Sequence, residues 1–152
     1  MNSAVVFNTG FPRLKGTDTV ADAVQRMLDD RVSDLPVVDA AGKFIGMFKL
    51  DRLYATLLPK AALIGYGVPD LAFVSDTLGQ LRERMREIEH LPVCDFVVKP
   101  HDVIHPDTPP LEIVLLLHQG VNAIPVIERD SGRLVGMVAA RDLLTALRAK
   151  GN

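Results

Sequence analysis

The sequence predicts an α/β (α+β) fold in which two pseudo-symmetric repeats pack sheet to sheet as one module. Three observations predict it: an internal repeat, an apolar hairpin with a glycine-bearing turn in each copy, and helical stripes flanking each hairpin. The repeat emerges when "RVSDLPVVDAAGKFIGMFKLDRL" (31–53) is set above "GVNAIPVIERDSGRLVGMVAARDLL" (120–144). Val32, Leu35, Pro36 and Val37 meet Val121, Ile124, Pro125 and Val126. After one inserted residue, Gly42 meets Gly132, and Gly46-Met47 meets Gly136-Met137. Upstream, "TDTVADAVQRML" (17–28) meets "PDTPPLEIVLLL" (106–117). Each unit is about 45 residues long, the scale of a supersecondary unit that buries its apolar face against a neighbour.

Each unit reads as β-α-β-β-α. Thr19 followed by Asp22, and Thr108 ahead of Pro109 and Pro110, mark helix starts, because hydroxyls cap free N–H groups and proline suits a first turn. Val20, Val24, Met27 and Leu28 recur at helical spacing, as do Ile113, Leu116 and Leu117. "LPVVD-AAGK-FIGMF" and "IPVIE-RDSGR-LVGMV" are the hairpins. A second helix follows each, starting near Asp51 and near Arg141. Residues 1–58 form the first repeat, 59–90 a connection and 91–152 the second repeat. The connection holds an amphipathic helix over 76–89, with Leu78, Leu81, Met85 and Ile88 on one stripe and Arg82, Glu83, Arg86 and Glu87 on the wet face. This inserted helix should dock on the module. "VCDFVVKPHDVIHP" then enters the second repeat in extended form. A lone unit leaves one sheet face unburied, so two units should close on each other about a two-fold. Clefts should lie between them, where each second strand gives way to its second helix.

Composition narrows the function. A chain of 152 residues with 48% apolar content can bury one sizeable core. A net charge of -2 gives no electrostatic footprint for nucleic acid, and the absence of Trp removes the best stacking platform. No run approaches the ~18 apolar residues that a membrane span needs. The single cysteine, Cys94, cannot form an internal disulfide, and "MNSAVVFNTGF" lacks the basic start and apolar run of a secretion signal, so a cytoplasmic protein is expected. His101 and His105 have metal-like spacing only on a helix, which Pro100 and Pro106 oppose; no metal site is expected. No nucleophile–base pair or cofactor fingerprint is evident, so no enzyme is expected.

With both copies in order, the Pro-Asp-Thr opening (106–108), the strand prolines Pro36 and Pro125 and the Gly-Met pairs before the second helices resemble a tandem pair of CBS (cystathionine-β-synthase-type) domains, a Bateman module. The resemblance implies a non-catalytic, energy-sensing regulatory module that binds an adenosine-containing ligand between the repeats: AMP, ADP or ATP, with or without magnesium, and no required cofactor. It also implies a motif of Gly-h-h-[Ser/Thr]-x-x-Asp, whose acid accepts hydrogen bonds from ribose hydroxyls.

In the second repeat the motif reads Gly136-Met-Val-Ala139-Ala-Arg141-Asp142: the acid is in register and Ala139 has replaced the hydroxyl. In the first it reads Gly46-Met-Phe-Lys49-Leu-Asp51-Arg52, with the acid displaced by one residue, about 100° around a helix. The resemblance therefore directs the ligand mainly to the second repeat: Asp142, Arg141, Ala139, Thr108, Ile104, Val121, Ala123, Ile124 and Pro125, with Lys49, Arg52, Leu35 and Pro36 as a secondary set. It implies a homodimer shaped as a flat disc, formed through the stripes Leu50, Leu53, Leu57 and Leu143, Leu144, Leu147, and an effector enzyme or transporter on a separate chain. The alternative is a ligand-independent homodimerisation or docking module with degenerate nucleotide sites.

Overall fold

A computed structural model describes residues 7–58, 77–100 and 102–149. The first repeat contains β1 (Leu14–Lys15), α1 (Val20–Asp30), β2 (Asp34–Val38), β3 (Phe44–Lys49) and α2 (Leu50–Leu57). The connecting helix α3 (Leu78–Ile88) and a 3-10 turn (Val93–Asp95) lead to α4 (Pro110–His118), β4 (Ala123–Ile127), β5 (Leu134–Ala139) and α5 (Ala140–Arg148). The sheets are β1-β2-β3 and β4-β5. In the second repeat the counterpart of β1 shrinks to a single parallel bridge from Ile104 to Val126. Both repeats are thus β-α-β-β-α in outline. No helix among the described residues is long and apolar enough to cross a membrane.

The repeats are laced together by exchanged segments. Asn8, near the start of the first repeat, bridges Met137 in the second sheet, and Val98, near the start of the second repeat, bridges Met47 in the first. Both backbone groups of Met47 bond to Val98 at 2.8 Å. Met47 is also the ladder partner of Pro36, as Met137 is of Pro125. Because Met47 spends its backbone groups on Val98, it needs no donor from Pro36, and a mid-strand proline is tolerated. The exchange also explains the repeated Gly-Met. A Cβ at Gly136 would lie 2.6 Å from the carbonyl oxygen of Asn8, and one at Gly46 3.0 Å from that of Val98. Glycine stands where the exchanged segment crosses the strand.

Each repeat has its own core, around Leu14, Val20, Leu35 and Phe48 in one and Ile104, Ile113, Ile124 and Val138 in the other. Between them Val38, Met47, Leu134 and Met137 form a buried seam. The hairpin turns also touch: Phe44 donates its N–H to Gly132 and Leu134 donates to Gly42, both at 3.0 Å. This is the sheet-to-sheet closure that the repeat predicts.

Several local expectations are corrected. Thr19 caps α1 in a reciprocal box with Asp22, but Thr108 does not cap α4; Pro109 occupies that position without a side-chain bond. Thr108 is buried, and its hydroxyl accepts from the His105 N–H at 2.9 Å instead. The buried stripe of α1 is Val20, Ala23 and Met27, while Leu28, one step round the helix, is 69% exposed. The segment expected to enter the second repeat in extended form instead begins with the 3-10 turn Val93–Asp95.

Helix α3 docks as expected, but through its C-terminal half. Met85 and Ile88 pack on the first core, whereas Leu78 at its start is 64% exposed. The chain leaving α3 also receives the first-turn amides of α1: Val20 donates to Leu91 and Ala21 to Glu89, each at 2.9 Å. The equivalent residues in the second repeat are Pro109 and Pro110, which have no N–H to satisfy. Among the described residues no helix covers the second repeat in this way, and Leu111, Leu115, Leu144 and Leu147 stand exposed on its helical face.

Candidate functional site

Two clefts lie at the ends of β3 and β5, where the repeat geometry predicts them. The first, about 320 Å³, is walled by Asp34, Met47 and Lys49 from one repeat and Val121, Asn122 and Ala123 from the other, with Val98, Lys99, Pro100 and Asp102 along its edge. Its counterpart, about 170 Å³, is walled by Val32, Ser33 and Asp34, by Asn122, Ala123 and Ala139, and by Phe11 and Arg31. Asp34, Asn122 and Ala123 border both.

The two clefts differ at an equivalent turn. After the first helix of each repeat the chain turns in a left-handed conformation, at Arg31 (φ 55°) in the first repeat and Gly120 (φ 96°) in the second. Gly120 borders the wider cleft and brings no side chain; Arg31 borders the narrower one. Ligand pockets for small molecules generally begin near ~300 Å³. Only the first of the two reaches that size.

The motif residues of the second repeat do not gather in its narrow cleft. Arg141 and Asp142 line a separate open depression of about 430 Å³ with Phe7, Asn8 and Thr145. One carboxylate oxygen of Asp142 accepts the Ala139 N–H at 2.8 Å, fixing the start of α5. In the first repeat Arg52 occupies the same helical step and is exposed, and α2 starts without a side-chain cap. Ile104, Ile124 and Leu35 are core residues, Pro36 and Pro125 are buried within their strands, and Thr108 is engaged at His105. Val121, Ala123 and Lys49 do face the wider cleft. Arg52 is not among its walls.

Sequence reading missed Asp34. It begins β2, pairs across the ladder with Lys49, and borders both clefts. Partial burial raises its carboxyl above the ordinary carboxylate value; nearby Lys49 pulls it back and Asp51 adds to the rise. The signal available in the sequence was an acid in "SDLPV" where the other copy has alanine in "NAIPV". A carboxyl raised on folding makes the folded state hold more protons than the unfolded one just above the ordinary value, so its stability falls as pH rises through that window. Asp34→Asn should therefore raise the melting temperature at neutral pH, and the gain should vanish in acid below the ordinary aspartate value. Thermal melts of both proteins across pH check this; an equal gain at every pH would assign it to another cause.

Among the described residues no group of three His, Cys, Asp or Glu side chains is placed to hold a metal; His101 lies outside them. Cys94 is exposed.

The CBS domain family profile matches residues 5–58 and 94–149. Among curated proteins, no relative matches the sequence. The fold is similar to protein MJ1004 from Mathanocaldococcus jannaschii, at 21% identity and a TM-score of 0.68, over 97% of this chain but only 59% of that one. It is also similar to a CBS domain-containing protein of unknown function from Kribbella flavida, at 19% identity and TM-score 0.73, covering 98% of this chain and 99% of that one. CBSX2 in complex with AMP aligns at 20% identity and TM-score 0.64 over 94% of this chain and 91% of its own; CBSX2 is a CBS-pair protein of Arabidopsis thaliana. At such identities these structures speak for the fold. With two profile matches spanning most of its length, arranged as a β-α-β-β-α pair about shared clefts, the chain belongs to the CBS domain family.

Proposed function

We propose that this CBS pair is a non-catalytic regulatory module that binds an adenosine-containing ligand, of the AMP, ADP or ATP class, in the clefts between its repeats. Occupancy would be read by an effector enzyme or transporter on a separate chain. The observation that carries this reading is the wider inter-repeat cleft, large enough for a nucleotide and furnished with Lys49 and Lys99. The complex of CBSX2 with AMP supports the choice of ligand class. Asp142 and Arg141 stay in the reading as a second-repeat set, with one carboxylate oxygen of Asp142 not engaged at Ala139. A thermal-shift panel of AMP, ADP, ATP and S-adenosylmethionine, with and without magnesium, tests it. A ligand at a hundredfold excess over its dissociation constant stabilises by about 2.7 kcal/mol. A panel without a shift would leave the docking alternative.

The module is also proposed to be a homodimer. The flat-disc expectation used the second helices of both repeats, but Leu53 and Leu143 from those stripes are buried in their own cores. The exposed apolar face is that of α4 and α5, with Leu111 80%, Leu115 52%, Leu144 61% and Leu147 69% exposed. Light scattering should give the mass of a dimer, and Leu115→Glu with Leu147→Glu should give a folded monomer. A monomeric parent protein would reject the dimer.

A further inference from the structure

Arg52 stands where the motif would place a carboxylate on α2 and does not line the wider cleft, yet that cleft has a carboxylate of its own. Asp34 reaches the same cleft from β2, on the opposite side of the ladder pair that it forms with Lys49. We propose that Asp34 is the acceptor carboxylate of this cleft, and that the cleft takes a ligand with hydrogen-bond donors at one end and an anion at the other. This rests on the adenosine-ligand reading and moves its principal site from the second repeat to the first. The chemistry matches the walls. An ionised carboxylate can accept two donors at once, from a vicinal diol or an exocyclic amine, and such charge-assisted bonds are about twice as strong as neutral ones. Lys49 and Lys99 supply cations for a phosphate. Ala123, which stands where the other repeat has Asp34, contributes an apolar patch, as do Val121 and Met47. A nucleoside monophosphate carries both required ends.

Among the described residues, the charged groups lining this cleft and its open edge are Lys49, Lys99, Asp34 and Asp102, with Asp51 close enough to raise the Asp34 carboxyl. Protonating Asp34 turns an acceptor of two donors into a weaker partner. Adenosine, which lacks a titrating phosphate, isolates that effect. Its affinity should fall as the pH is lowered toward the ordinary aspartate range in the parent protein and stay level in Asp34→Asn.

The test is calorimetric titration with AMP and adenosine on four proteins: parent, Asp34→Asn, Lys49→Ala and Asp142→Ala. Asp34→Asn should weaken both ligands about tenfold or more, the scale for losing hydrogen bonds to a charged group. Lys49→Ala should weaken AMP and spare adenosine. Asp142→Ala should weaken either ligand less than Asp34→Asn does. Parent-like AMP binding by Asp34→Asn, with loss in Asp142→Ala, would overturn this assignment and return the site to the second repeat. If the parent binds neither ligand, the adenosine reading fails and this inference fails with it.

Discussion

Replacing Phe48 by alanine should cost about 3–5 kcal/mol, the loss expected when a buried aromatic leaves a cavity that its neighbours cannot fill. Phe48 is 1% exposed and belongs to the first core with Leu14, Val20, Leu35 and Leu53. Its ladder partner Leu35 is fully buried too, so there is no mobile side chain on that side to collapse inward. The shape of the transition matters as much as its midpoint. The seam of Val38, Met47, Leu134 and Met137 and the exchanged segments tie the two repeats together, so they should unfold as one cooperative unit. Denaturation followed by circular dichroism and by a probe in the second repeat should shift together. Two separated transitions, with only the first moved, would show that the repeats fold independently.

Gly136→Ala should be the second large effect. The added methyl would stand 2.6 Å from the Asn8 carbonyl oxygen, which accepts the Met137 N–H at 3.1 Å while the Asn8 N–H donates to the Met137 carbonyl at 2.7 Å. Relief requires the N-terminal segment to lift away, taking Phe7 off the second core. Overpacking of this kind costs about 1–3 kcal/mol, a fall of roughly 2–4 °C per kcal/mol for a domain of this size. Gly46→Ala, at 3.0 Å from Val98, should cost less. Equal and negligible costs at both positions would mean that the exchanged segments are not held against the strands.

These two glycines show how far the sequence could be read. Their repetition was plain, and so were the hairpins and second helices, because those follow from local pattern. The reason for the glycines was not legible: Asn8 and Val98 meet Met137 and Met47 across the two repeats, and no local pattern reports a contact that distant. Thr108 failed as a cap for a related reason. The proline after it takes the cap position, and the hydroxyl turns back to His105. The charge swap at the second helices was read correctly as asymmetry between the repeats. The sequence shows the acid lost at Arg52, and only the fold shows that Asp34 on a neighbouring strand borders the wider cleft. Asp34 looked like an ordinary strand entry until the fold set it between two clefts. Cleft width was equally hidden, although Arg31 and Gly120 differ at an equivalent left-handed turn beside the two clefts.

The most direct measurement is the stoichiometry of AMP binding to the parent protein by isothermal titration calorimetry. Saturable binding of one AMP per chain, as the wider cleft alone would give, is the predicted result. No heat of binding from AMP, ADP, ATP or S-adenosylmethionine, in a protein that light scattering shows to be folded and dimeric, would contradict ligand sensing and leave a module that only docks.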